Sequence, residues 1–221
     1  MPTRRRFLAW VAATLPILRT SVAQAAAVER DVICRRAWGA RPPNAGLRRH
    51  TIRRLTVHHS GIALTDNRQA PARFRSHQAS HQARGWPDIA YHYLIDRHGN
   101  IYKGRYHWAK GDTATDYDPR GHLLVMCEGN FGEQRPSRAQ VRALVDVLAW
   151  ACREFDVRPS RIRGHRYYAH TACPGSRLQS LLGGTIQDRV RTRLGEGGVR
   201  LVGLCGDAGR RRVAAIERGE D

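Results

Sequence analysis

The sequence predicts a single α/β domain in which helices flank a central mixed β-sheet. Short runs of β-branched and aromatic residues alternate along the chain with segments of helical periodicity. The chain has 221 residues, of which 41% are hydrophobic, and this is enough to bury one substantial core. No internal repeat or low-complexity linker interrupts the sequence after its first residues, so we place one domain at residues 30–195.

Four short segments are predicted to form strands of the sheet. Residues 53–59 and residues 89–96 are rich in β-branched and aromatic side chains. A turn follows the second segment and leads into a strand at residues 101–103. Residues 123–127 are apolar throughout, which is typical of a strand that is buried on both faces.

Helical segments lie between and after these strands. The clearest helix begins after Ser137, whose hydroxyl can cap the free amides of the first turn. Its apolar side chains recur every three or four residues from Val141 to Cys152, so one face of the helix is apolar. Residues 69–84 and residues 185–194 are predicted to form two further helices.

The two ends of the sequence differ from the domain between them. The start combines basic Thr3-Arg4-Arg5-Arg6-Phe7-Leu8 with a short apolar stretch and the small-residue site Ala23-Gln24-Ala25. This pattern is typical of a signal peptide, and the adjacent arginines resemble the twin-arginine type. We expect residues 1–25 to direct export to the periplasm or the cell exterior; an ordinary secretory signal and an uncleaved anchor are the alternatives. Residues 196–221 are interpreted as a basic, irregular C-terminal tail of unknown role.

The composition is strongly basic, with a formal net charge of +19 that arginine carries almost alone. A basic surface favours polyanionic partners such as nucleic acid, anionic lipid or an acidic cell wall. The arginines are scattered, however, and form no zinc finger, basic helix or aromatic RNA-binding signature. We therefore expect no nucleic-acid partner. We also expect no transmembrane segment, because no run of about 20 apolar residues occurs, and we expect a monomer.

The five cysteines indicate both chemistry and cross-linking. They form no Cys-x-x-Cys pair, which argues against a zinc ribbon or a thioredoxin-type site. Their odd number fits one cysteine with a chemical role and up to two disulfides. The pairing is open among Cys34, Cys127, Cys152 and Cys205.

Two histidines and one cysteine are candidates for a metal site. His165 and Cys173 lie in one compact segment, and His58 lies near the end of a predicted strand. Such a ligand set binds zinc and leaves a fourth position for water. A chain with 11 histidines also brings some of them near cysteines by chance, so spacing alone leaves a structural role open. Alternation along the strand directs His58 and His59 to opposite faces, so this strand supplies one ligand at most.

Six short motifs occur in order between residues 35 and 178. They are Arg36-Ala37-Trp38-Gly39-Ala40, residues 55–60, residues 84–92, Gly104-Arg105, Gly129-Asn130-Phe131 and residues 164–175. Together they resemble the peptidoglycan recognition protein family and the related type 2 N-acetylmuramoyl-L-alanine amidases, including the phage amidase-type lysozymes. The resemblance implies an α/β domain with a zinc site in a surface groove.

The resemblance also implies a ligand set and a reaction. His58, His165 and Cys173 match the family's Zn²⁺ ligands, which leaves His59 with a packing or supporting role. The implied reaction is hydrolysis of the peptidoglycan amide between N-acetylmuramic acid and the L-alanine of the stem peptide. Family members that bind peptidoglycan without cutting it typically lack the cysteine. Cys173 therefore favours an enzyme over the alternative, a non-catalytic peptidoglycan-binding module.

By the same resemblance, Tyr91 and Thr171 assist catalysis, whereas His81 and Arg84 contact the glycan or the stem peptide. Zinc would polarise the scissile carbonyl and activate a water. Tyr91 would donate to the developing oxyanion, and Thr171 would steady the water. Simpler interpretations remain for three of these residues: Tyr91 as a core aromatic, and His81 and Arg84 as parts of a solvated helix face.

Four features depart from the family pattern. Relatives usually carry an aspartate where this chain has Tyr167, so another group must orient the metal ligand if that aspartate does so elsewhere. Residues 111–113 lack a histidine that many relatives have, and residues 117–122 replace an Asn-containing approach to the next strand. Glu128 is an outside candidate for a general base, because it lies two positions later than the glutamate that some type 2 amidases use.

Overall fold

A computed structural model describes residues 26–221, which form one seven-stranded sheet with helices on both faces. The strands are β1 (Val28–Ile33), β2 (Arg54–His59), β3 (Tyr93–Ile95), β4 (Ile101–Lys103), β5 (His122–Cys127), β6 (Ile162–Gly164) and β7 (Val199–Leu204). They lie in the order β6-β2-β5-β3-β4-β1-β7. Only the β3–β4 pair is antiparallel, so the sheet is mixed and the predicted fold class is confirmed. The expected signal peptide at residues 1–25 lies outside the described residues.

In the part of the chain that the structure describes, five α-helices cover the two faces of the sheet. They are α1 (Ala70–Ala83), α2 (Arg138–Glu154), α3 (Ser176–Leu181), α4 (Gln187–Gly195) and α5 (Gly206–Arg218). The predicted cap of α2 is confirmed, because the Ser137 side chain accepts from the Gln140 N–H at 3.0 Å. Within residues 26–221, no helix has both the length and the apolar character needed to cross a bilayer.

Strand β5 connects the two halves of the core. All six of its residues are buried, as the sequence predicts for a strand covered on both faces. Val125 belongs to the apolar cluster that includes Leu148 of α2 and Val190 of α4. Met126 belongs to the opposite cluster, with Phe74 of α1 and Val213 of α5. The alternation of side chains along β5 therefore holds a layer of helices against each face.

The strand predicted at residues 89–96 is shorter than expected, because only Tyr93–Ile95 joins the sheet as β3. Side-chain hydrogen bonds replace a ladder at the start of the predicted segment. The Asp88 carboxylate accepts from the Ile89 N–H at 2.8 Å, and the carbonyl oxygens of both residues accept from the Arg105 guanidinium. His92 keeps backbone hydrogen bonds to Leu124 and Gly104, so the disruption is confined to the first residues, and hydrophobic patterning gives no signal of it.

The chain beyond residue 195 is regular, so the interpretation as an irregular tail is wrong. Strand β7 pairs in parallel with β1 along its whole length, and α5 buries Val213 and Ile216 in the apolar cluster that contains Phe74 of α1. A disulfide between Cys34 and Cys205 joins these elements, and Cys127 and Cys152 are free thiols. Basic residues interrupt the apolar pattern of both elements. Strand β7 and helix α5 are held in place by pairing and cross-linking to β1, and no local sequence signal shows these contacts.

We predict that the Cys34–Cys205 disulfide stabilises the domain, since it closes a sequence separation of 171 residues. The paired substitution Cys34→Ala/Cys205→Ala should lower the free energy of unfolding by about 2–4 kcal/mol. Denaturant titration of both proteins, with and without reductant, measures this difference. Reductant should destabilise only the unsubstituted protein. Equal midpoints for its oxidised and reduced forms would show that the bridge contributes nothing.

Candidate metal centre

His58, His165 and Cys173 meet at the carboxyl ends of two adjacent parallel strands. His58 lies near the end of β2, and His165 directly follows β6, which pairs with β2. The loop that carries Cys173 returns beside His165, because the Arg166 N–H donates to the Cys173 carbonyl at 3.0 Å. One ligand atom from each of the three residues lies within 4.8 Å of the other two. The fold thus brings together the three residues that the sequence indicates as metal ligands.

The two neighbouring histidines of β2 face opposite sides of the sheet, as predicted. His58 points to the cluster, where its Nδ1 lies 3.6 Å from the Cys173 Sγ. The His59 Nδ1 instead accepts from the Phe131 N–H at 3.2 Å, on the side of the apolar cluster that contains Phe131. The His59 backbone N–H donates to the Cys173 Sγ at 3.4 Å. His59 thus supports the cluster through its backbone.

Hydroxyl groups hold the other members of the cluster. The His165 Nε2 is 2.8 Å from the Thr115 Oγ1, and the Thr171 Oγ1 accepts from the Cys173 N–H at 3.2 Å. Tyr167, which stands where relatives usually have an aspartate, is 65% exposed and packs under Arg163. The partner of His165 is therefore a threonine from a different loop. The sequence gives no local signal of this contact, because Thr115 and His165 are 50 positions apart.

The electrostatics of the cluster suit a cation. Burial lowers the pKa of His165 to about 4. Burial lowers the pKa of His58 well below its usual value, and the nearby His165 lowers it further. Burial raises the pKa of the Cys173 thiol to about 12. Two neutral imidazoles and one thiol form a donor set that fits zinc, with room for a fourth ligand. The His58 Nε2 is buried without a hydrogen-bond partner among the described residues, so one polar atom of this cluster is left for a group that the protein itself does not supply.

A cavity of about 420 Å³, called the groove below, opens over this cluster. One wall is a polar stripe on α1, formed by His77, Ser80, His81 and the adjoining Arg84. These residues recur at the spacing that brings side chains onto one helix face. The opposite wall comes from residues 112–115 and 171–173. All of the residues assigned from the resemblance to catalysis or substrate binding line the groove. They are Tyr91, Thr171, His81 and Arg84.

Tyr91 lies between the three candidate metal ligands and the α1 wall. Its ring centroid is 5.3 Å from that of His58 and 5.8 Å from that of His81. Burial raises the pKa of Tyr91 above its usual value, with a smaller contribution from Cys173. The phenol therefore keeps its proton at neutral pH and can donate a hydrogen bond into the groove.

The Gly104-Arg105 motif joins the floor of the groove to one of its walls. Arg105 is 1% exposed and donates to the carbonyls of Asp88 at 2.7 Å, Ile89 at 2.8 Å and Lys110 at 2.5 Å. It also forms an ion pair with Asp112 at 2.7 Å. One guanidinium thus fixes the segment before Tyr91 relative to the loop that enters the opposite wall.

Two further polar residues lie beside the groove: Glu128, the outside candidate for a general base, and Tyr117. Glu128 is fully buried and does not line the cavity; its carboxylate lies 3.0 Å from the Ser60 Oγ and 2.9 Å from the His77 Nε2. Tyr117 packs its ring 5.1 Å from that of His165, and its hydroxyl is buried without a partner among the described residues. His77, which contacts Glu128, could have been predicted as a groove residue, because it lies four residues before His81 on the same face of the helix.

Comparison with known proteins identifies the family. The family model Amidase_2, described as N-acetylmuramoyl-L-alanine amidase, matches residues 48–176. This span contains His58, His165 and Cys173 and covers more than half of the chain. The chain belongs to this amidase family, and the resemblance inferred from its motifs is confirmed.

Individual relatives agree with this assignment. The chain is 34% identical over 154 residues to the human N-acetylmuramoyl-L-alanine amidase, a match that covers 66% of this chain and 26% of the human protein. The chain thus spans about a quarter of that relative's length. The crystal structure of Drosophila peptidoglycan recognition protein SD is similar with a TM-score of 0.63 and 27% identity, covering 69% of this chain and 93% of that one. Peptidoglycan recognition protein LE, in complex with tracheal cytotoxin, gives a TM-score of 0.61 and 25% identity, covering 67% and 90%.

We predict that Cys173 is required for metal retention. Cys173→Ser should weaken zinc binding by about a hundredfold or more, since loss of a direct ligand exceeds the 10–100-fold effect of an outer-shell partner. Competition with a chromophoric chelator measures the affinity. Cys152→Ser is the matched control, because Cys152 is a free thiol in the core. Zinc affinity that is the same for Cys173→Ser and the unsubstituted protein would remove Cys173 from the ligand set.

We also predict that zinc binding releases one proton. The pKa of Cys173 is about 12 and that of His165 about 4, so between these values the thiol is protonated and the imidazole is neutral. Zinc takes the thiolate, so its affinity should rise about tenfold per pH unit between about pH 5 and pH 7, below the range in which a zinc-bound water ionises. Calorimetry in two buffers that differ in ionisation enthalpy counts the released protons. Binding without proton release would contradict the assigned thiol.

Proposed function

We propose that the protein is a zinc-dependent peptidoglycan hydrolase that cleaves the amide between N-acetylmuramic acid and the L-alanine of the stem peptide. The observation that carries this proposal is the cluster of His58, His165 and Cys173 at the base of a groove, in a chain of the amidase family. The relative bound to tracheal cytotoxin, described as monomeric diaminopimelic acid-type peptidoglycan, supports a muropeptide as the ligand.

The side chains of the groove can divide the work of amide hydrolysis. Zinc held by the three ligands would polarise the scissile carbonyl and lower the pKa of a water in its fourth position. The Tyr91 hydroxyl donates to the carbonyl oxygen as negative charge develops there. The Thr171 hydroxyl, fixed by the Cys173 N–H, orients the attacking water. Arg84 is exposed at the rim, where its guanidinium can form two parallel hydrogen bonds with a stem-peptide carboxylate.

The alternative is a module that binds peptidoglycan without cleaving it. The likeness in fold to peptidoglycan recognition proteins favours this alternative, since their names describe recognition. The complete set of His58, His165 and Cys173 favours the enzyme. We further propose that the protein is exported through the signal in residues 1–25 and acts as a monomer on the cell wall.

Product analysis separates the two functions. Purified muropeptides are incubated with the zinc-loaded protein, with the chelated protein, and with the chelated protein after zinc is restored. Release of free stem peptide that stops on chelation and returns with zinc is the expected result. Binding without release, by protein shown to contain zinc, would establish the recognition module instead.

We predict that Tyr91→Phe keeps the metal and lowers turnover. Loss of one donor to a developing oxyanion costs about 10²–10³-fold in kcat. Zinc content and the rate of stem-peptide release are measured on the same preparation. Tyr93→Phe is the matched control, since the Tyr93 hydroxyl is bonded to Lys103 at 3.0 Å and does not line the groove. Full turnover by Tyr91→Phe would exclude Tyr91 from the reaction.

A further inference from the structure

A second cavity, lined mainly by arginine and called the arginine cavity below, lies outside the groove. Its volume is about 350 Å³, and Arg53, Arg54, Arg158 and Arg161 line it together with Asp156. No residue of this lining belongs to the groove. The cavity is therefore a separate concave surface with four positive charges against one negative charge.

Two turns of the chain bring these arginines together. After α2 the chain turns back, and the Arg161 N–H donates to the Arg158 carbonyl at 2.8 Å. On the other side of the cavity, the backbone N–H groups of Arg53 and Arg54 donate to the Gly121 carbonyl at 2.8 and 3.0 Å. Backbone hydrogen bonds therefore fix both of the segments that carry the guanidinium groups.

The arginine cavity and the candidate metal centre lie at opposite ends of the same two strands. Arg54 begins β2 and Arg161 directly precedes β6, whereas His58 and His165 lie near the carboxyl ends of these strands. A strand rises about 3.3 Å per residue, so about 13 Å separates Arg54 from His58 along β2. A ligand in the arginine cavity therefore leaves the groove free.

The four guanidinium groups have no partner within residues 26–221. None of them donates a side-chain hydrogen bond there or forms an ion pair with Asp156. Two arginines close to them in sequence differ, because Arg153 and Arg163 donate to backbone carbonyls. Like charges around one cavity repel each other, and an anion bound among them would remove that repulsion.

The lining fits a phosphate group that is carried on a sugar or a polyol. A guanidinium group forms two parallel hydrogen bonds with phosphate, and the oxygens of one phosphate can engage more than one arginine. Ile52, Phe155 and Val157 add an apolar surface to the lining. Inorganic phosphate has no carbon atoms to place against that surface, whereas a sugar or a polyol does.

We propose that the arginine cavity binds a phosphorylated sugar or polyol unit of an anionic envelope polymer. Such binding holds the protein on the polymer while the groove stays available for a different ligand. The proposed export brings the protein to polymers of this kind. The amidase reaction plays no part in the binding, so the site goes beyond the proposed function.

The probe is a short glycerol phosphate oligomer, and calorimetry at one fixed salt concentration measures its binding. Arg158→Gln/Arg161→Gln should weaken binding about a hundredfold, since each substitution removes a charge-assisted hydrogen bond that contributes about tenfold. Arg135→Gln/Arg211→Gln is the matched control, because it removes the same charge from exposed arginines outside the cavity. It should weaken binding less than about threefold. Equal losses in the two variants would show that only the net charge attracts the oligomer and would overturn the site.

Three further probes test the chemical class of the ligand on the unsubstituted protein. Polyglutamate of the same charge and inorganic phosphate should each bind at least about tenfold more weakly than the oligomer. If either binds as tightly, the cavity does not select a phosphate carried on a polyol. Vesicles that contain phosphatidylglycerol should not retain the protein in the presence of excess oligomer. Retention by vesicles without any binding of the oligomer would make a lipid headgroup the ligand and overturn the polymer.

Hydrogen exchange on the unsubstituted protein locates the bound oligomer even if a variant is unfolded. The oligomer should slow exchange at residues 155–161 and leave exchange at residues 77–91, beside the groove, unchanged. Slower exchange beside the groove alone would overturn the arginine cavity as the site. Stem-peptide release is assayed on soluble muropeptides without the oligomer, so a failure of the proposed function and a failure of this site are separate results.

Discussion

The buried Arg105 guanidinium is the interaction on which the geometry of the groove depends. A charge with almost no exposure needs hydrogen bonds for its donors and a counter-charge; here three carbonyls accept the hydrogen bonds, and the Asp112 carboxylate forms the ion pair. Those acceptors belong to two separate segments, residues 88–89 and residues 110–112, which the guanidinium joins. Gly104 is required next to it, since a Cβ there would lie well inside contact distance of the Tyr91 carbonyl. The Gly104-Arg105 motif therefore holds Tyr91 in place beside the candidate metal ligand His58.

The parallel pairing of β2 with β6 provides the second constraint. Carboxyl ends of parallel strands meet at one edge of the sheet, so His58 and His165 come together although 107 positions separate them. The same burial that builds this edge keeps the imidazoles neutral and the thiol protonated, and a cation binding there displaces only the thiol proton. The meeting of the three side chains and their protonation are thus consequences of one arrangement of strands.

Much of this architecture could be predicted from the sequence, for identifiable reasons. The apolar run of β5, the Ser137 cap of α2 and the alternation of His58 and His59 are local patterns, and the structure has all three. Strand β7 was missed because its order depends on pairing with β1 and on a distant disulfide. Thr115 and the Glu128–His77 pair were missed for the same reason, since their contacts join loops and helices far apart in sequence.

We propose that His58, His165 and Cys173 hold one zinc ion with a position left for substrate or water. X-ray absorption at the zinc edge of the metal-loaded protein tests this ligand set. We expect one sulfur at about 2.3 Å and two imidazole nitrogens at about 2.0 Å, completed by one light atom. Zinc with no sulfur ligand, or with two or more, would contradict the assigned centre.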